Sequence, residues 1–176
     1  MPRNKTLRDE VEQGLKDAGA KVMPKFSFNG MATIKHLNPR KEGPEEDKVL
    51  AMDVKLNATV DADIWDFFHP GIKPLLYTDA GGVQNVMMEA VGYANLVSNC
   101  TVEIVECRFY SVDVKNFKIR PKDGWKADLT FSVTIDPQGD QIAVMAEYLQ
   151  DEVRVVIEPQ PELFDQKKEI AWPPEN

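Results

Sequence analysis

Cysteine and histidine are scarce in this chain, two of each among 176 residues. Cys100 and Cys107 read as odd-spaced positions of one strand, which turns their side chains to opposite faces, so no disulfide is expected. With no C-x-x-C and only His36 and His69 to add, a zinc site has no ligand spacing to build on; no metal and no cofactor is expected. His36 reads as a polar strand residue and His69 as a turn marker. Long apolar runs are missing too. Nothing approaches the ~20 residues of a spanning helix, and the opening MPRNKTLRDE has no apolar signal region. The expectation is a soluble cytoplasmic protein with no membrane partner. Catalytic signatures are also absent: there is no G-x-S-x-G, Walker loop, G-x-G-x-x-G or H-E-x-x-H.

What the chain does have is the composition of a folded core. At 43% hydrophobic and 28% charged residues it is neither a disordered tail nor a membrane protein, and its length suits one domain with short appendages. The net charge is −8, unevenly placed. From Arg108 to Lys126 six basic residues face two acidic ones, whereas from Asp136 to Asp165 eight acids face Arg154 alone. Such stretches ordinarily serve as solvated faces; a basic one also suits a phosphate backbone.

Residues 1–24 read as an amphipathic helix and linker, in which Leu7, Val11, Leu15 and Ala18 recur at helical spacing until Gly19. Residues 25–159 read as an α+β domain on an antiparallel sheet of five or six strands with two or three short helices. The first strand spans Phe26 to Leu37 with a bulge at Gly30, and NPRKEGPEED over 38–47 is a loop. Leu50, Met52, Val54, Leu56, Ala58 and Val60 alternate with polar partners, the pattern of a half-buried strand. A helical turn over ADIWDFF ends at His69-Pro70, and a second apolar turn covers Gly71 to Tyr77. A helix is expected over 83–91. Val102 to Phe109 reads as one strand with a phase slip and Val112 to Arg120 as another. The turn Pro121-Lys122-Asp123-Gly124 then makes a hairpin with the alternating stretch Ala127 to Ile135. A helix from Asp136-Pro137 and a strand over 153–157 close the domain, and residues 160–176 read as a flexible acidic tail.

Three blocks carry a likeness. The segment NPRKEGPEEDKVLAMDVKLNATV, the segment FFHPGIKPLLY, and VDVKNFKIRPKDGWKADLTFSVTI followed by a helix and EVRVVIEPQP resemble a family of uncharacterised proteins encoded by tailed phages and prophages. Asp53, Val54, Lys55 and Leu56 match its first strand. Phe68, Pro70, Ile72, Lys73, Leu76 and Tyr77 match the second segment, with His69 in place of an acid. Phe117, Lys118, Pro121 and Gly124 match its hairpin, with Trp125 in place of a second glycine. The resemblance covers roughly residues 26–160 and leaves out the N-terminal helix. It implies an early-region protein associated with recombination and replication inside a bacterial host cell, with a phage recombination protein or a host protein as partner.

Three chemistries compete. With Phe117 and Ile119 facing the core, Lys118 and Arg120 point outward, joined by Lys115, Lys122, Trp125 and Lys126, which pairs cations with an aromatic plane as single-stranded DNA binders do. The alternative is that Trp125 covers the sheet edge and the lysines discourage edge pairing. A Mg²⁺-dependent nuclease reading takes Asp113 as its first acid, but the stretch Lys126-Ala-Asp128-Leu-Thr130 lacks the lysine it needs. The acidic C-terminal side suggests an inhibitor of a host defence protein, of the anti-restriction or DNA-mimic type, or a tail that docks a partner through Phe164 and Trp172. The expectation is a non-catalytic DNA-binding accessory protein, its oligomeric state left open.

Overall fold

The computed structural model describes residues 25–84 and 89–161. The elements run β1 (Phe28–Glu42), β2 (Val49–Asp61), α1 (Ile64–Phe68), α2 (Lys73–Leu76), β3 (Val91–Tyr93), β4 (Val97–Ile104), β5 (Cys107–Lys122), β6 (Lys126–Ile135), α3 (Gly139–Glu147) and β7 (Glu152–Pro159). All strand neighbours are antiparallel. The order β3-β5-β4-β7-β1-β2-β6 closes on itself because β5 also pairs with β6, so six strands form a barrel and β3 adds to β5. None of the described helices is long and apolar enough to cross a membrane.

The alternation in β2 and β6 is what fills the barrel. Met52, Val54 and Leu56 from β2 meet Leu129, Phe131, Val133 and Ile135 from β6, all fully buried or nearly so, while Lys55, Asn57 and Thr59 face outward. In β5 the alternation shifts phase twice. Phe109 and Val112 are both buried although three positions apart, and so are Val114 and Phe117; the shifts fall at Ser111 (φ 53°) and Asn116 (φ 58°). Each is a bulge, where one extra residue opposes the neighbouring strand and bends its own. So bent, β5 pairs with β4 along its first half and with β3 and β6 along its second.

The two mouths are closed differently. At one, α1 and α2 lay Trp65, Phe68 and Leu76 into the core, and Phe26 covers Phe117 and Phe131 with ring centroids 5.2 and 6.0 Å away. At the other, α3 bridges β6 to β7 and buries Met145. Its first turn is held by a capping box between Gln138 and Gln141.

Several expectations need correction. The expected one-piece strand over 102–109 is a hairpin: Val105 and Glu106 make its two-residue turn, which is the phase slip, and Cys100 and Cys107 stand on different strands. Both cysteines are free. Gly30 pairs regularly with Val155, and the β1 bulge lies instead between Ile34 and His36, where Gln150 bonds the Ile34 and Lys35 carbonyls. Asn38 to Glu42, expected in a loop, continue β1 because β2 offers them a pairing edge. The helix expected over 83–91 gives way at both ends, Val83 bridging to Tyr77 and Val91 starting β3; residues 85–88 lie outside the described residues. Pro121 and Lys122 belong to β5, so the hairpin turn is Asp123-Gly124-Trp125. The expected N-terminal helix and most of the expected C-terminal tail also lie outside the described residues.

The Val105-Glu106 turn holds two side-chain-bearing residues at φ 49° and 65°, where glycine and asparagine are favoured. For a β-branched residue this is strained. Replacing the pair by Asn-Gly (V105N/E106G) is expected to stabilise the protein by about 1 kcal/mol, read as a raised midpoint in urea with an unchanged slope.

Candidate nucleic-acid interface

The outer face of β2, β6 and β5 is organised in cross-strand rows. Lys55, Ser132 and Lys115 form one; Asn57, Thr130 and Lys118 the next; then Thr59, Asp128 and Arg120; and Asp61, Lys126 and Lys122 at the mouth. All five basic residues expected to touch DNA therefore share this face. They differ in what they already hold. Lys115 lies 3.5 Å from Asp53, Lys122 lies 3.4 Å from Asp128, and Lys126 is paired with Asp61. Lys118 and Arg120 are exposed and have no acidic partner among the described residues, and the same is true of Lys55. Lys55 was missed by the sequence reading, although its place on the wet side of the β2 alternation was visible there.

Trp125 sits at the hairpin tip with φ 57°. Its ring stacks on Tyr77, centroids 5.3 Å apart and planes 28° from parallel. Tyr77 is fixed in turn: its hydroxyl accepts from Trp65 Nε1 at 3.0 Å and donates to the Lys126 carbonyl at 2.5 Å. Burial pushes the Tyr77 hydroxyl pKa up, so it stays a donor. The amides of Gly124 and Trp125 both donate to the Gly81 carbonyl, and a Cβ at Gly81 would fall 2.4 Å from the indole Cδ1. Gly81 also has φ 86°, so nothing larger fits beneath the ring. Trp125 is thus packed over the barrel mouth yet still 43% exposed. An alanine here would cost stability as well as a stacking surface.

Asp53 is the electrostatic hub of the face. It accepts a hydrogen bond from Thr134 Oγ1 at 2.6 Å, pairs with Arg40, and has Lys115 nearby. Partial burial alone pushes its carboxyl pKa up, but the bonds from Thr134 and Arg40 and the charge of Lys115 outweigh that and hold it below the ordinary carboxylate range. Asp113 lies across Thr134 from Asp53. Among the described residues no group of three His, Cys, Asp or Glu is placed to hold a metal ion. Burial, with Asp113 in second place, raises the Cys100 thiol pKa, which keeps it protonated and a poor nucleophile.

Beside the Asn116 bulge a cleft of about 600 Å³ opens, lined by Lys55, Lys118, Thr130, Ser132, Asn116 and the β3 backbone around Gly92. The sequence reading missed it, although the spacing of Val114 and Phe117 marked the bulge. His36 is exposed on β1, where it lies in register beside Lys55 and extends that row by one strand, and His69 ends α1. Phe164 and Trp172, the expected partner-binding residues, lie outside the described residues. No family model matches the chain, and neither a curated protein nor a solved structure does.

Because the folded-state pKa of Asp53 is depressed, its contribution is fully present above the unfolded value of about 3.9 and lost as pH falls through the folded value beneath it. Asp53→Asn is expected to destabilise the protein by about 1 kcal/mol at pH 7. The difference from the parent should shrink below about pH 4, followed by urea unfolding across that range.

Proposed function

We propose that the protein binds single-stranded DNA without catalysis, along the outer face of β5 and β6, as an accessory protein of phage or prophage recombination or replication. The observation that carries this reading is the pair Lys118 and Arg120, exposed on adjacent outward positions of β5 with no acidic partner among the described residues, leading towards the half-exposed Trp125 ring. Unpaired cations are what phosphates recruit, since each contact releases a counterion and no internal ion pair has to be broken first. Lys115, Lys122 and Lys126 are secondary on this reading because Asp53, Asp128 and Asp61 already hold them. The aromatic plane favours an unpaired strand, whose bases are free to stack, over a duplex. The net charge of −8 limits the contact to this local face and makes binding sensitive to salt.

The test is fluorescence anisotropy of a labelled oligothymidylate titrated at two salt concentrations. Lys118→Glu with Arg120→Glu should weaken binding at least about tenfold and flatten its salt dependence, with the melting temperature little changed since both side chains are exposed. Unchanged binding in that variant, or none in the parent protein, overturns the proposal. Mg²⁺-dependent cleavage of the oligonucleotide lost on Asp113→Ala would replace it with the nuclease reading.

A further inference from the structure

The cleft at the Asn116 bulge differs from the rest of the face in having lysines but no acidic side chain in its lining. Lys115 and Lys118 bracket two residues, Asn116 and Phe117, that oppose the single Phe131 of β6, so the ladder opens there. Phe117 turns inward and stacks in the core, 28° from parallel with Phe131, while Asn116 at φ 58° stays at the surface. The opening lies over the β6 positions Thr130, half-buried, and Ser132, buried, between the lysines of the two neighbouring strands. Lys55 comes from β2 on one side and Lys118 from β5 on the other, neither with an acidic partner among the described residues. Thr130 Oγ1 already accepts from Asn57 Nδ2 at 2.9 Å, which leaves its own O–H to donate. Ser132 lies on the outward register but is only 9% exposed, at the floor of the opening, where its hydroxyl also has a proton to give. None of the lining residues is acidic.

Two ammonium groups, two hydroxyls and an amide around one opening match the chemistry of a phosphate oxyanion, whose oxygens accept hydrogen bonds and whose charge needs compensation. We infer that the cleft bounded by Lys55, Lys118, Thr130, Ser132 and Asn116 is a phosphate-binding subsite that seats one phosphate group and sets the register of a bound strand on the barrel face. The inference rests on the DNA-binding reading for its biological ligand, but the subsite itself needs only a phosphate oxyanion, free or in a nucleic-acid backbone. Gly92 forms the rim on β3, opposite Lys118. Its φ is not in the left-handed region, and an added Cβ would meet only the Phe117 carbonyl, at 4.0 Å, so a larger side chain can be placed there without unfolding the strand.

The experiment is a ¹H–¹⁵N chemical-shift titration of the full chain, first with inorganic phosphate and then with oligothymidylate. Phosphate should shift the amides of Asn116, Thr130 and Ser132 ahead of the other surface positions. Lys55→Ala and Lys118→Ala should each weaken that response about tenfold, as loss of a charge-assisted hydrogen bond predicts. Gly92→Glu, which places an acid on the rim, should abolish it while the rest of the spectrum stays in place. Phosphate shifts spread evenly over the surface lysines, or absent at the cleft, overturn the subsite. If the oligothymidylate still binds in an Arg120-dependent way in that case, the DNA-binding reading stands without it. If phosphate seats at the cleft but the oligonucleotide does not bind, the subsite is upheld for free phosphate and the DNA-binding reading falls.

Discussion

Closure of the barrel depends on one strand serving two partners. β5 must leave β4 partway along its length and take up β6, and a regularly pleated strand of 16 residues would not turn that far. The bulges at Ser111 and Asn116 supply the turn, and both residues pay a modest backbone cost by adopting positive φ. With β6 joined, no barrel strand needs to present a long unpaired edge, and the inward residues of all six strands enclose one core. The same bulge that bends the strand at Asn116 opens the cleft on the outside. Fold and candidate site therefore share a cause.

The outer face of β2, β6 and β5 shows why counting basic residues says little about binding. Six cations lie on it, but Asp53, Asp61 and Asp128 engage three of them. Those pairs steady the sheet surface at modest gain and take Lys115, Lys122 and Lys126 out of competition for a ligand. What is left is a narrower line through Lys55, Lys118 and Arg120. At its end the Trp125 plane is held by Gly81 and by Tyr77, whose hydroxyl the Trp65 indole fixes, so an aromatic surface is oriented before any ligand arrives.

Much of the fold was legible in local patterns. The β2 and β6 strands followed from strict alternation, α1 and its end at His69-Pro70 from the restriction before proline, and the β5–β6 hairpin from Asp123-Gly124, although Pro121 and Lys122, expected in the turn, are strand. The outward direction of Lys118 and Arg120 followed from Phe117 and Ile119 facing inward. The turn at Val105-Glu106 was not legible, because neither residue favours positive φ and only the pairing of β4 with β5 forces them there. β3 escaped notice because three residues make too short a pattern, and Asn38 to Glu42 because their composition argued for a loop until β2 supplied an edge.

The sequence by itself determined which side chains go inside. Alternation is a property of the strand alone, and burying an apolar face is favourable whichever neighbour covers it. It also determined that basic residues would gather on the β5–β6 hairpin. Only the tertiary structure decided which of those cations have an acidic partner, because Asp53 and Asp61 reach Lys115 and Lys126 from β2, far away in sequence. The closing of the sheet into a barrel and the cleft at Asn116 were likewise decided there. Both need strands distant in sequence to come side by side, β2 against β6 and β3 against β5, and no local interaction encodes that pairing.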